Sequence, residues 1–267
     1  MHINEKYPWA NVHPDAQIGK GVRIAPFATI EADVVLGDGC EIGANSCVMQ
    51  GTRMGRACKV FPGAVVGAIP QDLKYQGEYT TLEIGDRVTI REFCTLNRGT
   101  LASGKTVVGD DCLLMAYVHI AHDCVLGRHC VLANGVTLAG HIEVGDWAVL
   151  GGLTAVHQFV RIGRHAMVGG GSLVRKDVPP YIRAAREPLA YVGVNTIGLE
   201  RRGFSTEKIE HIKSLYRHLF VEHSNLAKGK ERLRMLRADS KEADEILSFL
   251  EQSEQGRGVI RAMAKNT

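Results

Sequence analysis

An aliphatic residue recurs at every sixth position of the chain, and this period constrains the fold more than any other feature. The phase runs unbroken from Val12 to Val66, from Ile84 to Leu96 and from Val108 to Val174. An amphipathic helix repeats about every 3.6 residues and a half-buried strand about every two, so neither produces a period of six. Hexapeptide repeats are typical of a parallel β-helix, in which each coil buries its aliphatic residues against the neighbouring coils.

Three six-residue strands close one coil of such a helix, so equivalent positions recur every 18 residues, with ~4.8 Å between coils. The period fails at Asp72 and Glu78, which predicts that the segment 68–83 leaves the coils as a loop. Long insertions in compact repeats are usually functional. A shorter loop is predicted over Arg98–Thr106. For this short loop, a surface insertion without a function is a better explanation than it is for the long loop.

The repeats are expected to stop at Pro179-Pro180, because consecutive prolines cannot continue a hydrogen-bonded strand. Apolar residues at helical spacing follow Ser205, a residue type that caps helices. We therefore predict a hexapeptide-repeat β-helix over residues 1–195 and an α-helical domain over 196–267.

Composition excludes several classes of protein. A net charge of +3 and a pI near 8.5 are too mild for a nucleic-acid-binding protein. No apolar run approaches the roughly 20 residues that span a bilayer, and Met1–Asn11 is too polar for a signal peptide. We expect a cytoplasmic protein with no membrane span.

Six of the seven cysteines occupy one slot of the repeat, four residues after the aliphatic position. This slot elsewhere holds alanine, valine and serine, so we interpret the cysteines as small core residues rather than as disulfides or metal ligands. They are Cys40, Cys58, Cys94, Cys112, Cys124 and Cys130.

The 18-residue rule gathers several histidines at one edge of the predicted prism. One step from His122 gives Gly140, and a second step gives Gln158. The adjoining columns contain Asp123, His141 and His157. Each histidine alone would be interpreted as a hydrogen-bonded corner residue. Together the cluster supplies a base, an orienting acid and an oxyanion donor, which predicts a catalytic site.

Longer motifs resemble the UDP-N-acetylglucosamine O-acyltransferase family of lipid A biosynthesis. They include LLMAYVHIAHDCVLG (Leu113–Gly127), QDLKYQGE (Gln71–Glu78), GGLTAVHQFVRIG, DVPPY and RRGFS, and they cover nearly the whole chain. The resemblance implies a mostly β fold, a left-handed parallel β-helix with a C-terminal α-helical domain, assembled as a homotrimer. It also implies transfer of a 3-hydroxyacyl group from acyl carrier protein to the 3-hydroxyl of UDP-GlcNAc, the first step of lipid A biosynthesis, with no further cofactor.

The resemblance assigns roles residue by residue. His122 matches the catalytic base, Asp123 the residue that orients it, and Gly140 the oxyanion donor. The matching substrate contacts are Asp72, Lys74, His119, His141, His157, Gln158, Asn195, Arg201 and Arg202. Asp72 and Lys74 are expected to reach the site of an adjacent subunit. Gly170 matches the position that limits acyl-chain length, and a glycine there predicts a long chain.

Three points stay open at this stage. Stacking alone pairs Asp123 equally well with His141, and pairing with His122 requires a corner, because adjacent strand residues point to opposite faces. The acceptor could also be the 3-amino analogue of UDP-GlcNAc, since an amine is the better nucleophile. A zinc-dependent lyase of carbonic anhydrase type, using His119, His122 and His141, would leave Gly140 and Gln158 without a role. The clustered polar edge disfavours a non-catalytic scaffold.

Overall fold

Three parallel sheets form the walls of the molecule, and the chain visits them in turn, as the hexapeptide period predicts. The computed structural model describes residues 6–222 and 225–262. The outer ends of the two predicted domains, 1–5 and 263–267, lie outside these residues. We name the walls face one, face two and face three in the order in which the chain enters them.

The strands divide among the faces as follows. Face one holds Asn11–Val12, Thr29–Ile30, Cys47–Val48, Val65–Ala68, Thr95–Asn97, His119–Ile120, Thr137–Leu138, Ala155–Val156 and Leu173–Val174. Face two holds Gln17–Ile18, Val35–Leu36, Thr52–Met54, Thr81–Ile84, Lys105–Val108, Val125–Leu126, Glu143–Val144 and Arg161–Ile162. Face three holds Arg23–Ile24, Glu41–Ile42, Lys59–Val60, Thr89–Ile90, Leu113–Leu114, Val131–Leu132, Val149–Leu150, Met167–Val168, Ile182–Ala185 and Ala190–Val194.

The core is the column of aliphatic residues that the sequence period predicts. In each two-residue strand the second residue points inward, and Leu96, Ile120 and Leu138 are fully buried. The six cysteines of the repeat slot are also buried, and all seven cysteines are free thiols. Cys47 is the exception to burial, because it begins a strand and faces outward. The cysteines in the slot therefore act as core residues.

The corners between faces turn through a residue in the left-handed backbone region. Asp123 and His141 have φ of 59°, and Phe159 has φ of 67°. Because the chain turns at these residues, a corner side chain can approach that of its sequence neighbour, which a straight strand prevents. Asp123 therefore lies at a corner, as its pairing with His122 requires.

Both insertions leave the prism at the edge between face one and face two, in two consecutive coils. The long loop spans 69–80, which is narrower than the predicted 68–83. Ala68 still pairs with Asn97, and Thr81–Ile84 forms a strand because Leu82 and Ile84 point into the core. The short loop spans 98–104. The next coil places His122 at the same edge, which we call the His122 edge.

The two consecutive prolines do not end the sheet, in contrast to the sequence expectation. Pro179 and Pro180 lie in the turn before Ile182–Ala185, where no sheet hydrogen bond is required of them. Ile182–Ala185 pairs in parallel with Met167–Val168, and Ala190–Val194 then returns antiparallel to it. One further hairpin therefore extends face three.

The described chain is mainly helical between Thr196 and Ser253. It comprises α1 (Thr196–Glu200), α2 (Thr206–Phe220), α3 (Leu226–Leu236), a 3₁₀ turn (Arg237–Asp239) and α4 (Lys241–Ser253). Ser205 caps α2 by accepting a hydrogen bond from the Lys208 N–H, as its sequence position predicts. The Tyr216 hydroxyl of α2 donates to the Pro180 carbonyl at 2.6 Å, which fastens the helices to the top of the β-helix.

Candidate functional site

His122, Asp123 and Gly140 meet at the His122 edge. The Nδ1 of His122 lies 2.7 Å from Oδ2 of Asp123, and both side chains are buried. Gly140 is one coil further on, so close that a Cβ there would lie 2.7 Å from Nε2 of His122. Among the described residues, the Gly140 N–H has no hydrogen-bond acceptor. The Nε2 of His122 therefore faces a backbone that offers a free donor.

Asp123 is ionised despite its burial. Burial opposes the charged form, but hydrogen bonds from Ser103, His122 and Thr100 outweigh it and lower the pKa of Asp123 to about 2. An ionised carboxylate accepts a hydrogen bond and cannot donate one, so the proton between the two residues belongs to Nδ1 of His122. In the neutral imidazole, Nε2 of His122 is then the nitrogen without a proton, which is the form that a general base needs.

His141 is a second partner for the same carboxylate, at a greater distance. Its Nε2 lies 3.7 Å from Oδ2 of Asp123, and its ring meets the His122 ring edge-on at 5.1 Å between centroids. Phe159 stacks on the other side of His141 at 4.7 Å. The sequence left open whether Asp123 pairs with His122 or with His141. In the structure, the hydrogen bond from His122 to Asp123 is the shorter of the two contacts.

His119, His157 and Gln158 surround this centre. His119 lies on face one, where its Nδ1 is 2.7 Å from the Thr95 hydroxyl, and burial lowers the pKa of its imidazole. His157 is exposed, with Nδ1 3.2 Å from the Gln158 carbonyl. The structure therefore has five predicted residues and Gly140 at one edge, with His119 on the adjoining face one. The five are His122, Asp123, His141, His157 and Gln158.

Arg257 also lies at this edge, although no sequence pattern indicates it. Its Nε donates to the Gln158 carbonyl at 2.9 Å, and its guanidinium carbon lies 6.0 Å from the Phe159 ring centroid. It reaches the edge from the turn after α4, 99 residues along the chain from Gln158. A contact over that separation lies outside any repeat, so no periodic pattern could have found it.

Asp72 and Lys74 lie at the tip of the loop 69–80, away from His122. The Oδ1 of Asp72 accepts from the Lys74 N–H at 3.0 Å, and Leu73 between them is fully exposed. The foot of the loop is fastened by the Tyr79 hydroxyl, which donates to Oδ2 of Asp33 at 2.9 Å. No contact within the described residues joins the loop tip to His122 of the same chain.

Asn195, Arg201 and Arg202 lie at a different edge, between face two and face three, which we call the Trp147 edge. Asn195 is buried and caps α1, while its Nδ2 donates to the His165 carbonyl at 2.9 Å. The Arg202 guanidinium lies 5.2 Å from the Trp147 ring centroid, and its burial lowers the pKa. Arg201 is exposed. Within one chain, these residues are not gathered with His122.

Gly170 is exposed at the third edge, between face three and face one. A Cβ at this position would lie 3.0 Å from the carbonyl oxygen of Gly152 in the preceding coil. A larger residue would therefore have to displace the Gly152 backbone or extend outward from the edge. The glycine leaves that surface free, as the predicted long-chain groove requires.

His122, Asp123 and His141 also offer ligand atoms within 4.8 Å of one another, the arrangement that a metal ion uses. This set differs from the zinc ligands considered from the sequence, because Asp123 takes the place of His119. The two oxygens of Asp123 already accept hydrogen bonds from four donors, which fills the capacity of a carboxylate. A metal ion would have to displace donors that the fold holds in place.

A cavity of about 810 Å³ lies elsewhere, between face two and α4. Both arginines in its wall are paired, Arg161 with Glu143 at 3.0 Å and Arg164 with Glu245 at 3.2 Å. The cavity contains none of the clustered histidines. We therefore place the candidate active site at the His122 edge rather than in this cavity.

Family models match both parts of the chain. The model described as Udp N-acetylglucosamine O-acyltransferase, Domain 2, matches residues 177–260. The model described as bacterial transferase hexapeptide (six repeats) matches residues 15–49 and 105–140. None of the helices in the described ranges has the length and apolar content that a membrane span requires.

Similar proteins extend the match to nearly the full length. A relative from Chlorobaculum parvum, named acyl-[acyl-carrier-protein]–UDP-N-acetylglucosamine O-acyltransferase, is 56% identical over 259 residues, covering 94% of this chain and 98% of the relative. A relative of the same name from Thiobacillus denitrificans is 45% identical over 256 residues, covering 96% and 98%.

Solved structures agree with these relatives. A UDP-N-acetylglucosamine acyltransferase from Bacteroides fragilis has a TM-score of 0.92 at 47% identity, covering 95% of this chain and 99% of its own. The Arabidopsis UDP-N-acetylglucosamine acyltransferase has a TM-score of 0.81 at 36% identity, covering 96% and 99%. These matches confirm the predicted fold, a left-handed parallel β-helix with C-terminal helices.

Proposed function

Because the chain belongs to the acyl-[acyl-carrier-protein]–UDP-N-acetylglucosamine O-acyltransferase family, we propose that it catalyses the first step of lipid A biosynthesis. The reaction transfers a 3-hydroxyacyl group from acyl carrier protein to the 3-hydroxyl of UDP-GlcNAc. The observation that carries this proposal is the contact of His122 with both Asp123 and Gly140 at a single edge. That edge supplies each group that acyl transfer to a hydroxyl requires.

The mechanism begins at Nε2 of His122. A sugar hydroxyl is a poor nucleophile until a base removes its proton, and a neutral imidazole suits this role near neutral pH. As the hydroxyl oxygen attacks the thioester carbon, its proton passes to Nε2. The carbon–sulfur bond then breaks, and the imidazolium returns the proton to the departing thiolate of the carrier protein. Asp123 stabilises the imidazolium between these two steps.

Gly140 stabilises the charge that develops during the attack. The tetrahedral intermediate carries an oxyanion, and a preorganised N–H donor in a water-poor site stabilises it. The Gly140 N–H is unused within the described chain and lies one coil from the base. A side chain at this position would fill the space between the base and the donor, so glycine is required for the close approach.

We propose a homotrimer built around the edge between face three and face one. This edge exposes large apolar side chains, with Phe27 68%, Tyr117 64% and Leu153 75% exposed. No strand of face one contains a charged residue, and neither do the strands of face three from Leu113 to Val168. Five of the eight strands of face two contain a charged residue, so this face suits the outer surface. An exposed apolar patch of this kind marks a subunit interface.

This arrangement gives the predicted nucleotide contacts a common site. With the apolar edges at the threefold axis, face one of one copy lies toward face three of the next. The His122 edge of the first copy then lies beside the Trp147 edge of the second, where Arg202 is a half-buried cation without a carboxylate partner in the described residues. Arg201 and Arg202 would bind the diphosphate there, since arginine matches phosphate geometry.

We expect the protein to have three times the 29.1 kDa chain mass in solution. Light scattering measures this mass directly. The variants Tyr117→Asp and Leu153→Asp should reduce it and abolish transfer, because a charge would be buried at the interface. Val35→Asp on the outer face two is the matched control. A single-chain mass together with full activity would contradict the shared site.

Acyl carrier protein is the proposed partner and acyl donor, and the cytoplasm is the proposed compartment. The seven cysteines are free thiols, which suits a reducing compartment. No resident cofactor enters the mechanism, because the donor thioester supplies the activated acyl group.

The proposed reaction can be tested with a panel of substrates. Purified protein is incubated with UDP-GlcNAc or its 3-amino analogue and with 3-hydroxyacyl carrier proteins of several chain lengths, and products are measured by mass spectrometry. We expect acylation of the 3-hydroxyl and the fastest transfer from long-chain donors, because Gly170 places no side chain in the path of the acyl chain. Transfer to the amine alone would favour the N-acyltransferase, and reaction of short donors alone would contradict the role of Gly170.

A metal-dependent reaction at the same cluster gives a different result in the same assay. We expect protein treated with a chelator to keep its transfer activity, because the Asp123 oxygens are occupied by protein donors. Stoichiometric zinc with activity lost to the chelator would instead favour the lyase of carbonic anhydrase type.

A further inference from the structure

The short loop 98–104 lies directly against the proposed catalytic pair. It leaves the His122 edge one coil before Asp123, at the place where the sequence suggested a tolerated surface insertion. Arg98 begins the loop and anchors it, donating to the Gln50 carbonyl at 2.7 Å and to the Tyr75 hydroxyl at 3.0 Å. The loop closes on itself through the Gly104 N–H, which donates to the Thr100 carbonyl at 2.7 Å. It is therefore a folded element at the site.

Three of the four hydrogen bonds to the Asp123 carboxylate come from this loop. The Thr100 N–H donates to Oδ1 at 2.9 Å, and the Thr100 hydroxyl donates to Oδ2 at 2.7 Å. The Ser103 hydroxyl lies within hydrogen-bond distance of both Oδ1 and the Lys105 carbonyl. The ionised carboxylate is the stronger acceptor, so the Ser103 hydroxyl donates its hydrogen bond to Asp123 rather than to the Lys105 carbonyl. The fourth donor is His122.

The geometry of the Thr100 hydroxyl fixes the direction of its proton. The same oxygen accepts from the Ala102 N–H at 3.2 Å, so its lone pair is used by the loop and its proton is left for Asp123. On the other side, the Asp123 N–H donates to the Thr106 hydroxyl at 2.9 Å. Asp123 is thus held at its backbone as well as at its carboxylate, and its side chain is fully shielded from solvent.

The direction of this carboxylate decides which histidine it serves. His141 lies 3.7 Å from the same Oδ2 that His122 approaches at 2.7 Å. A small rotation of Asp123 would exchange the two partners, and His122 would then lose the acceptor that keeps its proton on Nδ1. The donors of the loop oppose that rotation, because each oxygen would leave a donor unpaired in a buried site.

We propose that Thr100 and Ser103 are positioning residues, which hold the Asp123 carboxylate so that His122 keeps its Nε2 unprotonated and directed at Gly140. This inference rests on the proposed function of His122 as general base. It assigns a role to a segment outside the hexapeptide pattern, and it predicts effects on turnover that arise without contact between the loop and the substrate.

The proposal is tested with the variants Thr100→Val, Ser103→Ala and the combination of both. Each lost hydrogen bond to the carboxylate should lower kcat by roughly 10-fold, and the double variant should lose more. KM for both substrates should change little, because neither residue binds them. Thr100→Ser should restore kcat to within about 2-fold, since it keeps both donors. Leu101→Ala, in the same loop but 78% exposed, is the matched control and should behave as wild type.

A second measurement does not depend on turnover. Nitrogen-15 chemical shifts of the His122 ring report which nitrogen carries the proton. Wild type should show a protonated Nδ1, and the double variant should show a mixture of the two tautomers. Unchanged shifts and unchanged kcat in the double variant would overturn the proposal, as would a rise in KM at constant kcat. If the shifts respond in a protein that does not acylate UDP-GlcNAc, the positioning role stands and the proposed function fails.

Discussion

Replacement of His122 by alanine is expected to lower kcat for acyl transfer by about 10²- to 10⁴-fold, the usual contribution of a general base. The hydroxyl would then have to attack without losing its proton to the protein. KM for UDP-GlcNAc should change much less, because the sugar and diphosphate contacts remain. Steady-state kinetics with a long-chain 3-hydroxyacyl carrier protein measure both quantities. Wild-type turnover in this variant would exclude His122 as the base.

Two further histidines make the result specific. His13→Ala, at an exposed position far down the β-helix, is the matched control and should leave kcat unchanged. His141→Ala removes the alternative partner of Asp123, 3.7 Å from its Oδ2, and should have a smaller effect than His122→Ala. If His141→Ala caused the greater loss, the base would be His141, and the hydrogen bond between His122 and Asp123 would be structural.

The sequence predicts the coils because one physical requirement repeats in each of them. Every coil must bury its aliphatic residues on the next, so the pairing register follows from counting. His119 pairs with Thr137, and Thr137 pairs with Ala155, each 18 residues on. The same counting places His122, Gly140 and Gln158 at one edge, where the structure has them. Stacking could be predicted wherever the repeat is intact.

The parts of the site that escaped prediction are those that the repeat does not control. Thr100 and Ser103 contact Asp123 from a loop whose path follows from its own hydrogen bonds. Arg257 reaches Gln158 only because α4 ends where it does. Asn195 is predicted to contact the nucleotide, and in the structure its side chain also caps α1 and donates to the His165 carbonyl, two demands on its hydrogen-bonding groups that the motif does not reveal. A motif match carries no information on such local competition for hydrogen bonds.

The predicted site residues of one chain lie at more than one edge of the β-helix. Apart from Gly170, the predicted residues divide between the His122 edge and the Trp147 edge. Among the described residues, the loop tip with Asp72 and Lys74 contacts neither cluster in its own chain. The proposed homotrimer, with its apolar edges at the axis, would bring the two edges together. The hexapeptide pattern does not distinguish the uncharged outward residues of face one from other outward residues. Their lack of charge is nevertheless informative, because it indicates which face would meet the neighbouring subunit at the site.

Replacement of Gly140 by alanine is expected to lower kcat/KM by about 10²- to 10³-fold while leaving the fold intact. This is the loss that follows removal of one oxyanion donor, and we expect a similar loss when the base is displaced from the donor. The new Cβ would lie 2.6 Å from Cε1 and 2.7 Å from Nε2 of His122, closer than any stable contact. The ring must therefore move, although Asp123 holds its Nδ1. Gly256→Ala is the matched control, because its Cβ would have no neighbour nearer than 3.9 Å.

A double-mutant cycle separates this clash from a general defect of the backbone. Gly140→Ala should lower the melting temperature in the wild-type background, since overpacking a buried contact typically costs about 1–3 kcal/mol. In the His122→Ala background the imidazole is absent, and the same substitution should then cost little. Calorimetry of the four proteins measures the difference. An equal loss of stability in both backgrounds would show that Gly140 is required by its own coil, and that its distance from His122 does not explain the lost activity.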